Sequence, residues 1–100
     1  MQVANATTTE LGARAHLQIG LCRIEQKRYA EAATALLIVP YTFDYPDLSA
    51  AALCEAARCL VESKQPAQAE KLLQLVLKNF SDTEWAKVAK ERLDTMSKNK

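Results

Sequence analysis

Residues 50–80 read Ala50-Ala-Ala-Leu-Cys-Glu-Ala-Ala-Arg-Cys-Leu-Val-Glu-Ser-Lys64, break at Gln65-Pro66, and resume as Ala67-Gln-Ala-Glu-Lys-Leu-Leu-Gln-Leu-Val-Leu-Lys-Asn-Phe80. Past the break, Ala69, Leu72, Leu73, Val76, Leu77 and Phe80 keep the three-and-four spacing of one helix face over three turns. Pro66 suits the first position of a helix, where a missing N–H costs nothing. The stretch is two amphipathic helices joined by a tight turn.

The same unit occurs once more upstream. Sliding the chain by 37 places brings Ala32 onto Ala69, Leu36 onto Leu73, Val39 onto Val76 and Phe43 onto Phe80. It also brings Ala13 onto Ala50, Ala15 onto Ala52, Cys22 onto Cys59, Glu25 onto Glu62, Lys27 onto Lys64 and Ala30 onto Ala67. A second slide lines up Leu11, Leu48 and Trp85, and Ala15, Ala52 and Ala89. Turns, helices and core positions superimpose together, which is the mark of duplication. Periods of this size signal solenoids, in which each helical pair buries its apolar face only against its neighbours.

Outward from that unit, a first helix is expected over about 10–26, with Thr9 as its cap. Its apolar residues form two stripes, Leu11, Ala15, Ile19, Cys22 and Leu17, Leu21, Ile24, so it needs more than one neighbour. Lys27-Arg28 makes a turn without glycine, and a second helix presents Tyr29, Ala32, Ala33, Leu36 and Leu37 until Pro40 stops it. The loop Tyr41-Thr-Phe-Asp-Tyr-Pro-Asp47 holds half of the aromatic residues and plugs the joint between units. After the third and fourth helices, Asp82 is the expected cap of a fifth, with Trp85, Ala89, Leu93 and Met96 on one side. The expected organisation is a flexible arm over 1–9, repeat 1 over 10–43, repeat 2 over 46–80 and a capping helix over 83–97, with 10–97 as one domain.

Composition agrees and excludes several functions. One hundred residues make one modest domain, and with two glycines, three prolines and abundant alanine the profile is all-helical. Thirteen basic residues against twelve acidic give a net charge of +1, without the basic excess that phosphate contacts demand of nucleic-acid binders. The tail residues Lys87, Lys90, Arg92, Lys98 and Lys100 alternate with Glu84, Glu91 and Asp94 and read as a solvated face. No apolar run is longer than Ala35 to Val39, far too short to cross a bilayer, and the opening residues lack the pattern of a signal peptide.

No constellation for catalysis, cofactor or metal is expected. His16 is single and falls on a partly core-facing line of its helix, as a packed structural residue. Gly12 and Gly20 lie inside a helix and so form no phosphate loop. Cys22, Cys54 and Cys59 lack zinc-site spacing, and Cys54 and Cys59 stand roughly 140° apart round the axis. All three are read as buried small apolar residues. Free thiols favour a reducing compartment such as the cytoplasm, and a piece of an envelope protein would look the same, so the periplasm stays open.

At this point the chain resembles the tetratricopeptide-repeat family. Gly20 and Ala57 stand at that family's small position in the first helix, Tyr29 at its turn aromatic, Ala32 and Ala69 at its second-helix alanine. Leu36 and Leu73 fill the large apolar position that follows, whereas His16 and Leu53 replace its common tryptophan and Pro66 its turn tyrosine. The segment Phe80-Ser-Asp-Thr-Glu-Trp-Ala-Lys-Val-Ala-Lys-Glu-Arg-Leu93 also looks like repeat ends in bacterial outer-membrane assembly lipoproteins and the periplasmic partner of the Tol system. The resemblance implies an all-α, TPR-like α-solenoid of two helix-turn-helix repeats plus a C-terminal capping helix, five helices in all.

It also implies a function: a non-catalytic scaffold that takes a protein or peptide partner in a concave groove lined by first helices. Carried over, that groove exposes Arg14, Leu17, Leu21, Ile24 and Glu25, then Ala51, Cys54, Arg58, Val61 and Glu62, then Val88 and Glu91. The rival readings are a helical-repeat nucleic-acid binder, which needs basic groove positions, and an accessory segment that positions substrate for a larger enzyme. The fifth helix has a polar outer face, whereas the first has an uncovered apolar stripe. The expectation is a fragment of a longer repeat protein that hides this stripe by dimerising or by folding its arm across it.

Overall fold

The computed structural model describes the backbone of residues 2–98 and the side chains of residues 10–98. Met1, at the start of the expected arm, and Lys100, at the end of the tail, lie outside the described residues. Five helices follow in order: α1 Gln2–Glu25, α2 Tyr29–Thr42, α3 Pro46–Glu62, α4 Pro66–Asn79 and α5 Trp85–Lys98. No strand occurs among the described residues. The five-helix, all-α expectation holds.

Three boundaries differ from the sequence reading. α1 begins at Gln2, so Thr9 lies within it rather than at its start. Residues 2–9 contain no proline or glycine, and extending a formed helix costs far less than starting one. α2 runs through Pro40 to Thr42. Proline removes only its own N–H, and the next turn still closes, with the Phe43 N–H donating to Val39 O at 3.0 Å. α5 starts at Trp85 rather than at Thr83, and the Thr83 hydroxyl turns back to donate to Phe80 O at 2.7 Å.

The two hairpins turn in the same way. In the first, the Lys27 N–H donates to Ile24 O and the Arg28 N–H to Arg23 O. In the second, Lys64 donates to Val61 O and Gln65 to Leu60 O. These are paired Schellman closures, and each puts a lysine in the left-handed region, Lys27 at φ 62° and Lys64 at φ 64°. Phe43 and Phe80 likewise close α2 and α4 by donating to Val39 O and Val76 O.

α3 is the helix against which the others pack. α2 sits between α1 and α3, α4 between α3 and α5, and α1 and α5 each touch a side of α3. One face of α3 joins Ala52, Ala56 and Cys59 to Ala32, Ala33, Leu36 and Val39. The other joins Ala50, Leu53, Cys54 and Ala57 to Ala69, Leu73, Val76 and Ala89. Alanine and cysteine let the helix axes approach, so α3 is buried along most of its length. The fully buried Leu36, Leu53 and Leu73 each contribute about 1.5–3 kcal/mol by leaving water.

Candidate functional site: the slot between α3 and α5

Where α3 and α5 run side by side over α4, the surface dips into a slot of about 300 Å³. Ala57, Val61, Leu73 and Met96 supply its apolar lining, and Arg58, Glu91, Arg92 and Thr95 its polar edge. Val61 is 43% exposed although it is aliphatic. Glu55, whose side chain is only 14% exposed, lies between two guanidiniums, Arg58 at 3.5 Å and Arg92 at 4.0 Å. Arg92 also crosses from α5 to α3, where its Nη1 donates to Cys54 O at 2.7 Å. Part of each arginine side chain still faces solvent, with Arg58 50% and Arg92 31% exposed.

A second, smaller dip of about 190 Å³ lies between α1 and the start of α3, lined by Glu10, Arg14, Tyr45, Pro46, Asp47 and Leu48. There Arg14 is held by Glu10 at 3.0 Å.

Of the residues expected to line a groove, the slot gathers Arg58, Val61 and Glu91. Arg14 stands at the second dip, and Glu25 and Glu62 are exposed at the hairpin turns. Leu17 and Leu21 are half-buried against the first core, and Val88 packs on the second. Ile24, Ala51 and Cys54 are a correction: they are buried and offer no surface to a partner. Ile24 packs in the first core, while Ala51 and Cys54 sit on an α3 enclosed by helices on several sides. Cys22 is the opposite correction, since it is exposed rather than buried.

The sequence reading missed Glu55, Arg92, Thr95 and Met96 as parts of this surface. One signal was available: Thr95 lies four residues beyond Glu91, so continuing the groove line by one turn reaches it.

The two buried thiols are not poised for nucleophilic chemistry. Burial, opposed by Arg92, pushes the Cys54 thiol up to about 11. Burial, opposed by Arg58, does the same to Cys59. Both therefore stay protonated at neutral pH. The Cys54 Sγ–H donates to Trp85 O at 3.7 Å. His16 is packed as expected, its ring against Phe43 with centroids 5.8 Å apart and its Nδ1 2.9 Å from Gly12 O. Among the described residues no group of three His, Cys, Asp or Glu stands close enough to hold a metal ion. No described helix is long and apolar enough to cross a membrane.

Two hairpins with matching turns and matching closures, followed by a helix that repeats the first-helix pattern, define a helical-repeat protein. The family model for the tetratricopeptide repeat matches residues 14–41 and again residues 51–83. The chain belongs to the tetratricopeptide-repeat family, whose repeats generally mediate protein–protein interaction. No curated protein and no solved structure matches it.

Proposed function

We propose that the chain is a non-catalytic scaffold that binds an amphipathic helix or extended peptide across the α1–α3–α5 face, anchored in the slot between α3 and α5. The observation that carries this reading is the slot itself: an apolar lining of Ala57, Val61, Leu73 and Met96, edged by two arginines and a glutamate. A single aliphatic or aromatic anchor fits about 300 Å³. Its burial supplies about 1.5–3 kcal/mol, and an acidic neighbour on the partner meets Arg58 at the edge.

Affinity capture with the purified chain tests this, run in parallel with Val61→Glu, Arg58→Glu and, on α4, Lys78→Glu. Partners that use the slot are lost with Val61→Glu, weakened with Arg58→Glu and kept with Lys78→Glu. If every captured partner is indifferent to both slot changes, binding lies elsewhere and the reading fails.

A further inference from the structure

The exposed stripe of α1 has two counterparts in the same molecule, and both are covered. On α3, Leu48, Ala52, Ala56 and Cys59 pack in the core that holds Ala32, Leu36 and Val39 of α2. On α5, the equivalent Trp85, Ala89, Leu93 and Met96 pack in the core that holds Ala69, Leu73 and Val76 of α4. Each first-type helix thus seats the second-type helix that precedes it, and each of those presents alanine, leucine four residues on, and valine three further.

Shifting the α3 set back by one period gives Leu11, Ala15, Ile19 and Cys22 on α1. Leucine, alanine and cysteine are retained, and isoleucine in place of Ala56 enlarges the apolar area. Yet Leu11 is 58% and Ile19 46% exposed, and Ala15 and Cys22 are exposed as well. A depression of about 410 Å³ lies among Ala15, Gln18, Ile19, Cys22 and Arg23. The outer face of α5 is the contrast: Lys87, Lys90, Glu91 and Asp94 are exposed and charged, so that end seats no apolar helix.

We infer that the Leu11–Cys22 stripe is a docking site for one amphipathic helix of the α2/α4 kind, bearing the Ala-x-x-x-Leu-x-x-Val face. The warrant is an interface that this molecule already makes twice, of which α1 carries the receiving half. The site is separate from the slot between α3 and α5, because the two depressions share no lining residue. The occupant is recognised by shape: a small residue over Ile19 and a leucine over Ala15, as layers of large against small residues require.

The probe is a synthetic peptide with the α4 sequence, residues 66–79, added to the full chain. The readout is alkylation of Cys22 by iodoacetamide, located by mass spectrometry, with sedimentation velocity run on the chain alone. The free chain should be monomeric with a reactive Cys22. At ten times its dissociation constant the peptide should slow Cys22 alkylation about tenfold by mass action. A peptide with glutamate in place of the leucine corresponding to Leu73 should give no protection, and Ile19→Glu or Ala15→Gln in the chain should abolish it. Both positions are exposed, so both variants fold. Cys22 alkylated as fast with peptide as without overturns the inference. So does a free chain that already pairs through α1 and shields Cys22, since the occupant is then a second copy.

Discussion

Gly20 of α1 lies directly against Leu36 of α2: a β-carbon built on the glycine would stand 2.3 Å from Leu36 Cγ. The contact is with the branch point of a side chain that is itself fully buried, so the leucine has nowhere to swing. One period later the same crossing is made by Ala57 and Leu73, where the helices admit a methyl group. Gly20→Ala should therefore destabilise by about 1–2 kcal/mol, the overpacking cost exceeding the roughly 1 kcal/mol that alanine gains in helix propensity. Urea unfolding of Gly20→Ala, Leu36→Ala and the double variant measures it. The double variant should cost clearly less than the sum of the singles, because truncating Leu36 makes room for the new methyl group.

The lysines at the two hairpin turns hold a backbone conformation that costs an L-residue about 1–2 kcal/mol. Lys27→Gly and Lys64→Gly remove that cost and add only the extra chain entropy of glycine, about 0.4–1 kcal/mol. Each should stabilise the chain by up to about 1 kcal/mol in thermal unfolding. Lys27→Val and Lys64→Val should go the other way, because a β-branched side chain suits the left-handed region least. A glycine variant that lowers the melting temperature would mean that the lysine side chains make up for the strain.

Both lysines were legible from the sequence as equivalent positions, although not as left-handed ones, since glycine and asparagine are the usual signal there. The slide also found Phe43 and Phe80, which close equivalent helices through Val39 and Val76. It misplaced the end of α2 because a proline was read as a stop, when it removes one hydrogen bond and the next turn closes without it. For the site, the family resemblance put Ile24, Ala51 and Cys54 on the groove side, but did not tell how closely neighbouring helices cover them. An alanine-rich α3 draws α2 and α4 in until even its flanking positions are buried. Glu55 and Arg92 were missed because their meeting depends on how α5 lies against α3, and no short-range pattern encodes that.

The cysteines give a pH dependence with a definite sign. Unfolded thiols lose their protons near pH 9, whereas burial moves Cys54 and Cys59 to about 11. The stability tied to keeping them neutral is fully present below pH 9 and is lost as pH rises towards 11. Urea midpoints should hold level from pH 7 to about 8.5 and fall above pH 9, with a loss of about 1–2 kcal/mol per thiol by pH 11. Cys59→Ala should lower stability at neutral pH and flatten the alkaline fall. An alkaline fall of equal steepness in that variant would assign the effect to other groups.

Arg92 ties the last helix to the centre of the fold, and its loss should be felt locally. Its guanidinium donates to Cys54 O and stands beside Glu55, while Arg58 faces Glu55 from the other side. Because the Arg92 side chain is 31% exposed, solvent screens the ion pair, and most of its worth lies in the 2.7 Å hydrogen bond. Arg92→Ala should cost about 1–2 kcal/mol, and Arg92→Lys should recover only part of it, because an ammonium cannot reproduce the planar fork. Hydrogen exchange separates a tie from a general contribution to stability. Amides of α5 and the last turns of α4 should exchange faster in Arg92→Ala, with α1 and α2 unchanged, as expected for a unit that contacts only its neighbours. Uniform acceleration along the whole chain would mean that the five helices open as one, and that α5 does not close the array as a separable cap.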